Sequence, residues 1–241
     1  MIPKIIHYCW FGGKPIPKKY RKYLNSWKKF FPDYEIKRWD ESNFDINCCD
    51  YVKEAYEAKK FAFVSDFARL KILYEEGGVY FDTDVEVIKS FDDILSKGGF
   101  MGCETNTTIN PGLGLAVAPG LGLYKELVND YYCRHFKNED GSLNLKTIVE
   151  YTTETLRKKG LADIDGIQEV AGIFVYPKEY FNPIDMDSGK IIKTKNTHSI
   201  HHYAASWETK NNRFRGRVYQ LLVRIFGKRF AEKIRNKVGK K

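Results

Sequence analysis

The sequence of 241 residues has no apolar run long enough to cross a membrane. A spanning helix needs about 20 consecutive, mostly apolar residues, and the apolar start of the chain is too short for a signal peptide. Hydrophobic residues nevertheless make up 43% of the chain and aromatic residues 15%, which is typical of a folded core. We therefore expect one sizeable globular protein, either soluble or peripheral to a membrane.

Cysteine is scarce and follows no recognisable pattern. The five cysteines are odd in number and include no Cys-x-x-Cys pair: Cys9, Cys48, Cys49, Cys103 and Cys133. This argues against both a zinc site and a disulfide framework. A reducing compartment, the cytoplasm, is therefore predicted.

Most of the chain also lacks an excess of charge. The formal net charge is +9, but it is unevenly distributed. Residues 208–241 contain 12 Lys and Arg against 2 Asp and Glu, whereas the other 207 residues contain 28 Lys and Arg and 29 Asp and Glu. Because the charge is confined to a tail and no nucleic-acid-binding motif accompanies it, we predict no nucleic-acid partner.

The glycine-rich stretch at 110–120 lacks the Gly-Lys-Ser/Thr ending of a phosphate loop. It indicates a turn and a small-residue strand, with a loop near an acceptor site as the alternative.

Alternating strand and helix patterns predict an α/β fold. The segments "PKIIHYCW", "KKYRKYLNSWKKFF" and "YEIKRWD" predict the strand, helix and strand that open a mostly parallel sheet. Residues 50–59 have a helical pattern, apolar side chains at helical spacing predict a helix over 61–75 more strongly, and Gly77-Gly78 predicts the left-handed end of that helix. A strand over Val79–Phe81 follows. We predict one α/β domain over residues 1–207 and a basic helical segment over 208–241.

Two carboxylates, Asp82 and Asp84, come directly after this buried strand. Parallel α/β sheets bind ligands at the carboxyl ends of their strands, and paired carboxylates suit a divalent ion with a diphosphate. The alternative is a pair of solvated aspartates in a turn. The preceding helix favours a site, because Asp66 and Arg69 share one face and lie beside Ser65.

The compound stretch "FVSDFARLKILYEEGGVYFDTDVEVI" closely resembles the sugar-transferring region of glycosyltransferase family 32, whose members carry an Asp-x-Asp motif. "IPKIIHYCWFGG" is similar to the opening strand of that family, and "HHYAASW" to its closing segment. The resemblance covers residues 1 to 110 and resumes at about 198 to 207. It implies a GT-A fold, a nucleotide-sugar donor, and Mn²⁺ or Mg²⁺ bridging the diphosphate of the donor.

The same resemblance implies roles for individual residues. Asp84 would bind the metal, and Asp82 the ribose or the metal shell. Asp66 and Arg69, with Ser65, would hold the donor sugar and the diphosphate. The remaining implied residues are Trp10 at the nucleobase with His7 nearby, and Ser206 and Trp207 closing over the diphosphate.

A histidine of the closing segment is implied as the third metal ligand. His201 and His202 are both candidates, and on a strand they would face opposite ways. Counting back five residues from Trp207 favours His202. Without the family resemblance, edge-strand packing is the simpler interpretation of both histidines and of Trp207.

The function implied by the resemblance is transfer of a hexose, from a UDP-sugar and with retention, to a saccharide or lipid-linked saccharide. The family includes enzymes of capsule and lipopolysaccharide synthesis. The alternative is a protein that binds a nucleotide sugar or carbohydrate without turnover. The presence of Asp82, Asp84 and Arg69 together argues against a binding protein whose catalytic site has been lost.

The tail mixes apolar and basic residues with a helical period. Its apolar positions are Val218, Leu221, Leu222, Ile225 and Phe226. One interpretation is an amphipathic helix on an anionic membrane surface, which would place the protein at the inner face of the membrane. The other is a helix that packs its apolar side on the core and leaves a solvated basic side.

Overall fold

The computed structural model describes residues 1–163, 165–203 and 210–238, and its main feature is a central seven-stranded sheet. Five of these strands run in one direction and two run against them. The predicted α/β fold with a mostly parallel sheet is therefore confirmed. In spatial order the strands are β2 (Glu35–Trp39), β1 (Ile5–Cys9), β3 (Gly78–Tyr80), β6 (Leu115–Val117), β5 (Phe100–Gly102), β8 (Ile173–Tyr176) and β7 (Gln168–Val170).

Helices cover both faces of the sheet, and a small second sheet lies beside it. The small sheet pairs β4 (Val85–Val87) with β9 (Ser199–His201). The helices are α1 (Lys18–Phe30), α2 (Asp50–Glu57), α3 (Phe61–Glu76), α4 (Asp92–Leu95), α5 (Gly122–Tyr132), α6 (Ile148–Lys158), α7 (Lys210–Phe226) and α8 (Lys228–Val238). In the described ranges, none of these helices combines the length and apolarity that a membrane span requires.

The strand β3 is buried on both faces, which explains its continuous apolar sequence. Val79 and Phe81 belong to one hydrophobic cluster, whereas Tyr80 belongs to the other. The first cluster includes Trp27 of α1, and the second includes Phe67 of α3. Two layers of packed aromatic side chains therefore fix this strand and the residues that follow it.

Gly77 and Gly78 end α3 with positive φ angles of 66° and 99°, as the sequence predicted. A side chain at Gly77 would lie 2.8 Å from the backbone nitrogen of Pro119, so the turn also needs a residue without a Cβ atom. This tight reversal sends the chain straight from α3 into β3. Asp66, Arg69 and the residues after β3 are thereby brought together.

Helix α1 anchors the small sheet. The Trp27 indole donates a hydrogen bond to the carbonyl of Val85 at 2.9 Å, and the Ser26 hydroxyl accepts one from the Val87 amide at 3.0 Å. In the small sheet, Val85 pairs with His201. The long-range pairing therefore fixes which histidine of the C-terminal segment meets the residues that follow β3.

Candidate active site

Asp82, Asp84 and His201 converge where β3 ends and β9 meets β4. Their ligand atoms all lie within 4.8 Å of one another, and no other group of this kind occurs in residues 1–163, 165–203 and 210–238. The His201 Nε2 atom is 3.0 Å from Asp84 Oδ1. Asp84 and His201 are buried, whereas Asp82 is partly exposed. The cluster is therefore open to a ligand from the side of Asp82.

His201, and not the predicted His202, lies with the two aspartates. His202 faces the other way: its Nε2 atom is 2.7 Å from Glu86 Oε2, and its ring stacks on Tyr23 with a centroid distance of 4.7 Å. Neighbouring residues of an extended segment point to opposite sides. The count from Trp207 selected the wrong histidine because the pairing of β9 with β4 decides the orientation.

Arg69 connects the helix α3 to the aspartates. Its Nη2 atom is 2.9 Å from Asp66 Oδ1 and 3.2 Å from Asp82 Oδ1, and its side chain is only 4% exposed. The guanidinium also lies over the Tyr80 ring, 4.9 Å from its centroid. The Tyr80 hydroxyl donates to Asp82 at 3.1 Å. The buried strand can end in carboxylates because a buried cation lies beside them.

Burial and these contacts shift the pKa values of the charged groups. Burial raises the pKa of Asp66 to about 7, and Arg69 opposes this shift. For Arg69, burial acts to lower the pKa, but the charges of Asp82 and its other anionic neighbours outweigh burial and raise it. For His201, burial likewise lowers the pKa, but Asp84 outweighs this effect and raises it. Arg69 is therefore a permanent cation between Asp66 and Asp82.

The three convergent residues fit a divalent cation. Two carboxylates and an imidazole form a donor set that Mn²⁺ accepts, and Mg²⁺ takes the carboxylates. The His201 Nδ1 atom is buried without a hydrogen-bond partner in the described part of the chain. The other nitrogen, Nε2, lies 3.0 Å from Asp84 Oδ1 and is the imidazole atom available beside the carboxylates.

Two other predicted residues lie near the same edge of the sheet. Trp10 follows β1 and is partly exposed; its Nε1 atom donates to the carbonyl of Lys14 at 2.6 Å, and its ring packs on Tyr20. The Ser65 hydroxyl donates back to the carbonyl of Phe61 within α3 at 3.0 Å. Their roles toward a donor remain predictions.

His7 is not positioned to meet a nucleobase, contrary to the prediction. Its side chain is fully buried. Trp39 Nε1 donates to His7 Nδ1 at 3.0 Å, so Nε2 carries the hydrogen and donates to the carbonyl of Gly77 at 2.9 Å. Burial lowers the pKa of His7, which favours this neutral form. His7 therefore supports the turn between α3 and β3. Ser206 and Trp207 lie outside the described residues.

The loop before β6 contributes residues that the sequence did not assign to the site. Asn110 Oδ1 accepts a hydrogen bond from the Gly112 amide at 2.7 Å, and Asn110 is buried. A Cβ atom on Gly112 would collide with the Asp82 carboxylate. The glycine-rich stretch at 110–120 is the sequence feature that could have indicated these residues. A loop near an acceptor site is the alternative interpretation of that stretch.

A separate surface pocket of about 670 Å³ lies at the other end of the sheet, where β5 and β8 begin. Residues 97–99 and 117–121 form much of its wall, and its lining includes no acidic residue or histidine. It therefore offers none of the metal-binding or acid–base groups that the cluster at the carboxyl ends provides.

Sequence comparisons relate part of this chain to sugar transferases. Over 109 residues it is 34% identical to an uncharacterized glycosyltransferase of Acanthamoeba polyphaga mimivirus, covering 42% of this chain and 42% of that protein. Over 111 residues it is 31% identical to inositol phosphoceramide mannosyltransferase 1 of Schizosaccharomyces pombe, covering 42% of this chain and 33% of that protein. The chain thus matches less than half the length of these relatives.

Structural comparisons give looser likenesses. A glycosyltransferase involved in glycosylation of the major capsid of PBCV-1 has a TM-score of 0.48 at 14% identity, covering 88% of this chain and 97% of that one. PaToxG glycosyltransferase also has a TM-score of 0.48, at 20% identity, covering 66% of this chain and 70% of that one. Neither structure is similar enough to indicate which donor or acceptor this chain uses.

The family comparison matches the part of the chain that builds the site. The family described as "Glycosyltransferase sugar-binding region containing DXD motif" matches residues 17–101. That range includes Asp66, Arg69, Asp82 and Asp84 but ends before His201. Residues 17–101 are thus similar to the DXD-containing sugar-binding region of glycosyltransferases, which agrees with the resemblance noted in the sequence.

Proposed function

We propose that this chain is a metal-dependent glycosyltransferase that transfers a hexose from a UDP-sugar, with retention, to a saccharide or lipid-linked saccharide. The observation that carries the proposal is the convergence of Asp82, Asp84 and His201 within 4.8 Å. The process would be surface polysaccharide synthesis, such as that of capsule or lipopolysaccharide, in the cytoplasm. A GT-A-type donor site at the carboxyl ends of the parallel strands is part of this proposal.

Asp82, Asp84 and His201 would hold Mn²⁺ or Mg²⁺. A divalent ion bound there supplies positive charge to a diphosphate leaving group, without a proton donor. Asp84 and His201 are fixed by burial and by their mutual contact at 3.0 Å. Asp82 is fixed by Arg69 and by the Tyr80 hydroxyl. The chain therefore holds these donors in place before any ligand arrives.

In this proposal the main role of Arg69 is to position the Asp66 and Asp82 carboxylates. Its Nε atom donates to the carbonyl of Ser65 at 3.1 Å, and its Nη2 atom contacts both Asp66 and Asp82. A planar guanidinium can hold several oxygens in one fixed arrangement, which Lys cannot reproduce. The side chain of Asp66 is 13% exposed and would meet the donor sugar.

The remaining contacts of the donor are assigned by position. Trp10, partly exposed at the end of β1, would line the nucleobase. Asn110 and Gly112 form the wall behind Asp82 and would leave room for the sugar. Ser206 and Trp207 would close over the diphosphate, as the family resemblance implies.

Retention follows from the family resemblance and is proposed as a same-face transfer. The bond from the anomeric carbon to the diphosphate oxygen breaks, and a bond to the acceptor oxygen forms on the same face. The acceptor proton passes to the departing diphosphate oxygen. An oxocarbenium-like transition state is the chemical expectation for such a transfer.

The decisive experiment is donor hydrolysis by the purified protein across UDP-, GDP- and dTDP-sugars, with Mn²⁺ and then with EDTA. GDP-mannose belongs in this panel because relatives are named mannosyltransferases. We expect one donor, a UDP-sugar, to be consumed only with metal. Consumption of a different donor would overturn the UDP assignment, and metal-dependent binding without turnover, even with saccharide acceptors, would favour a binding protein.

Asp84→Ala tests the site itself. Because Asp84 supplies a metal ligand, we expect turnover to fall by at least about 10²-fold. The matched control is Asp33→Ala, which removes a carboxylate that is 77% exposed. Full turnover by the Asp84→Ala protein would eliminate the metal assignment.

A further inference from the structure

The C-terminal helix α7 is attached to the rest of the protein by its polar side. Gln220 Nε2 donates to a backbone carbonyl of the turn at 186–189 at 3.3 Å. Arg224 donates to two carbonyls of the same turn, at 2.5 and 3.0 Å. Lys228, at the start of α8, forms an ion pair at 2.7 Å with the carboxylate of that turn. These three residues orient the helix pair.

The apolar side of the pair faces solvent. Phe214, Val218, Leu221 and Ile225 follow one another at spacings of four, three and four residues, which places them on one face of α7. They are 67%, 41%, 54% and 60% exposed. We call these four residues the apolar stripe. The alternative that the tail packs its apolar side on the core is therefore wrong for the described part of the tail.

Positive charge accompanies the apolar stripe. Within residues 210–238 the only acidic residue is Glu232. Arg215 and Arg217 are exposed on either side of the stripe, and Arg229 and Lys233 are exposed on α8. Phe226 and Phe230 continue the apolar surface across the junction between the two helices, with ring centroids 4.9 Å apart.

The apolar stripe and the exposed cations together favour one kind of partner. A second copy of the chain could cover the apolar stripe, but the exposed cations of two copies would then face each other. A nucleic acid would satisfy the cations and leave the apolar side chains in water. An anionic lipid bilayer accommodates both features, because phosphate headgroups lie above an apolar layer.

We propose that the helix pair α7–α8 binds the surface of an anionic lipid bilayer, with the apolar stripe in the boundary of the acyl chains. Arg215, Arg217, Arg229 and Lys233 would contact the headgroup phosphates. The contacts of Gln220, Arg224 and Lys228 with residues 186–189 would couple this membrane-bound pair to the body of the protein. The catalytic domain would thus be held beside lipid-linked substrates.

Co-sedimentation of the full chain with vesicles tests this proposal. We compare phosphatidylcholine vesicles with and without phosphatidylglycerol. Binding should be about tenfold stronger with the anionic lipid, and high salt should weaken it. The double variant Leu221→Ser/Ile225→Ser should reduce binding about tenfold or more. Leu145→Ser is the matched control, because Leu145 is 54% exposed and lies outside the tail.

A second variant separates charge from apolar contact. Arg217→Gln/Arg229→Gln/Lys233→Gln should abolish the preference for phosphatidylglycerol, and circular dichroism should confirm unchanged helix content. Equal binding to neutral vesicles, or unchanged binding by the Leu221→Ser/Ile225→Ser protein, would overturn the proposal. So would a dimer that dissociates when the stripe is substituted. Asp84→Ala should bind vesicles like the wild type, so a failure of the proposed catalysis would not affect this result.

Discussion

At the residue scale, Arg69 allows two acids, Asp66 and Asp82, to lie close together at the edge of the core. It lies between Asp66 and Asp82 with a side-chain exposure of 4%. The charge–charge contacts offset the cost of removing a guanidinium from water. The same arrangement keeps Asp82 turned toward Asp84 and His201. Stability and the candidate chemistry therefore depend on the same side chain.

Arg69→Ala should lower the free energy of unfolding by about 3–5 kcal/mol, because it removes the buried cation and leaves the largely buried Asp66 and the partly exposed Asp82 unpaired. The loss should be larger at about pH 8 than at about pH 6. Without Arg69 the pKa of Asp66 in the folded state should rise further above its unfolded value, so more stability is lost as pH rises through that pKa. Urea denaturation at the two pH values measures this.

The control is Arg157→Ala, because Arg157 forms an ion pair with Asp163 at the surface. We expect that substitution to cost about 0–1 kcal/mol. Equal costs for Arg69→Ala and Arg157→Ala would contradict the structural role assigned to Arg69.

The two histidines illustrate what sequence can and cannot predict for single residues. Asp66, Arg69, Asp82 and Asp84 were predicted to share a site because a helix period and a strand end place them, and they do lie together. The choice between His201 and His202 depends on the register of β9 against β4, and these strands are more than 100 residues apart in the chain. Local pattern cannot determine that register.

At the element scale, the segment between β5 and β6 forms one wall of the site. Asn110 caps the turn through the Gly112 amide, and Gly112 lies against the Asp82 carboxylate. This segment was predicted as a turn and a small-residue strand, and β6 (Leu115–Val117) is indeed such a strand. The strand β5 was not predicted, because its three residues are too few to show a period.

Gly112→Ala should disturb the site without unfolding the protein. The added methyl group would push the Asp82 carboxylate away from Asp84 and His201, so metal-dependent donor hydrolysis should fall at least about tenfold. Gly122→Ala is the matched control, since a Cβ atom there meets no other atom. Its activity should be unchanged. Wild-type hydrolysis by Gly112→Ala would contradict the placement of this loop.

At the scale of the whole molecule, distant parts of the chain build one site. Segments near residues 66, 82, 110 and 201 meet at the edge where five parallel strands end. The sequence predicted the class of fold from the alternation of strands and helices. It could not predict the spatial order β2-β1-β3-β6-β5-β8-β7, because that order depends on contacts between remote segments.

The proposed division into residues 1–207 and 208–241 can be tested by truncation. In the described part of the chain, Gln220, Arg224 and Lys228 connect the helix pair to the turn at 186–189, which is far from Asp82 in the sequence. A chain ending at residue 207 should therefore keep metal-dependent hydrolysis of a soluble donor within about threefold. It should lose binding to anionic vesicles. Loss of hydrolysis would show that the tail belongs to the catalytic unit.

The central claim, a metal site made by Asp82, Asp84 and His201, is tested most directly by electron spin echo spectroscopy of bound Mn²⁺ in the presence of UDP. An imidazole ligand introduces a nitrogen coupling into the Mn²⁺ signal. We expect this coupling in the wild type and in His202→Ala, and we expect His201→Ala to lack it. A coupling that persists in His201→Ala and disappears in His202→Ala would contradict the site described above.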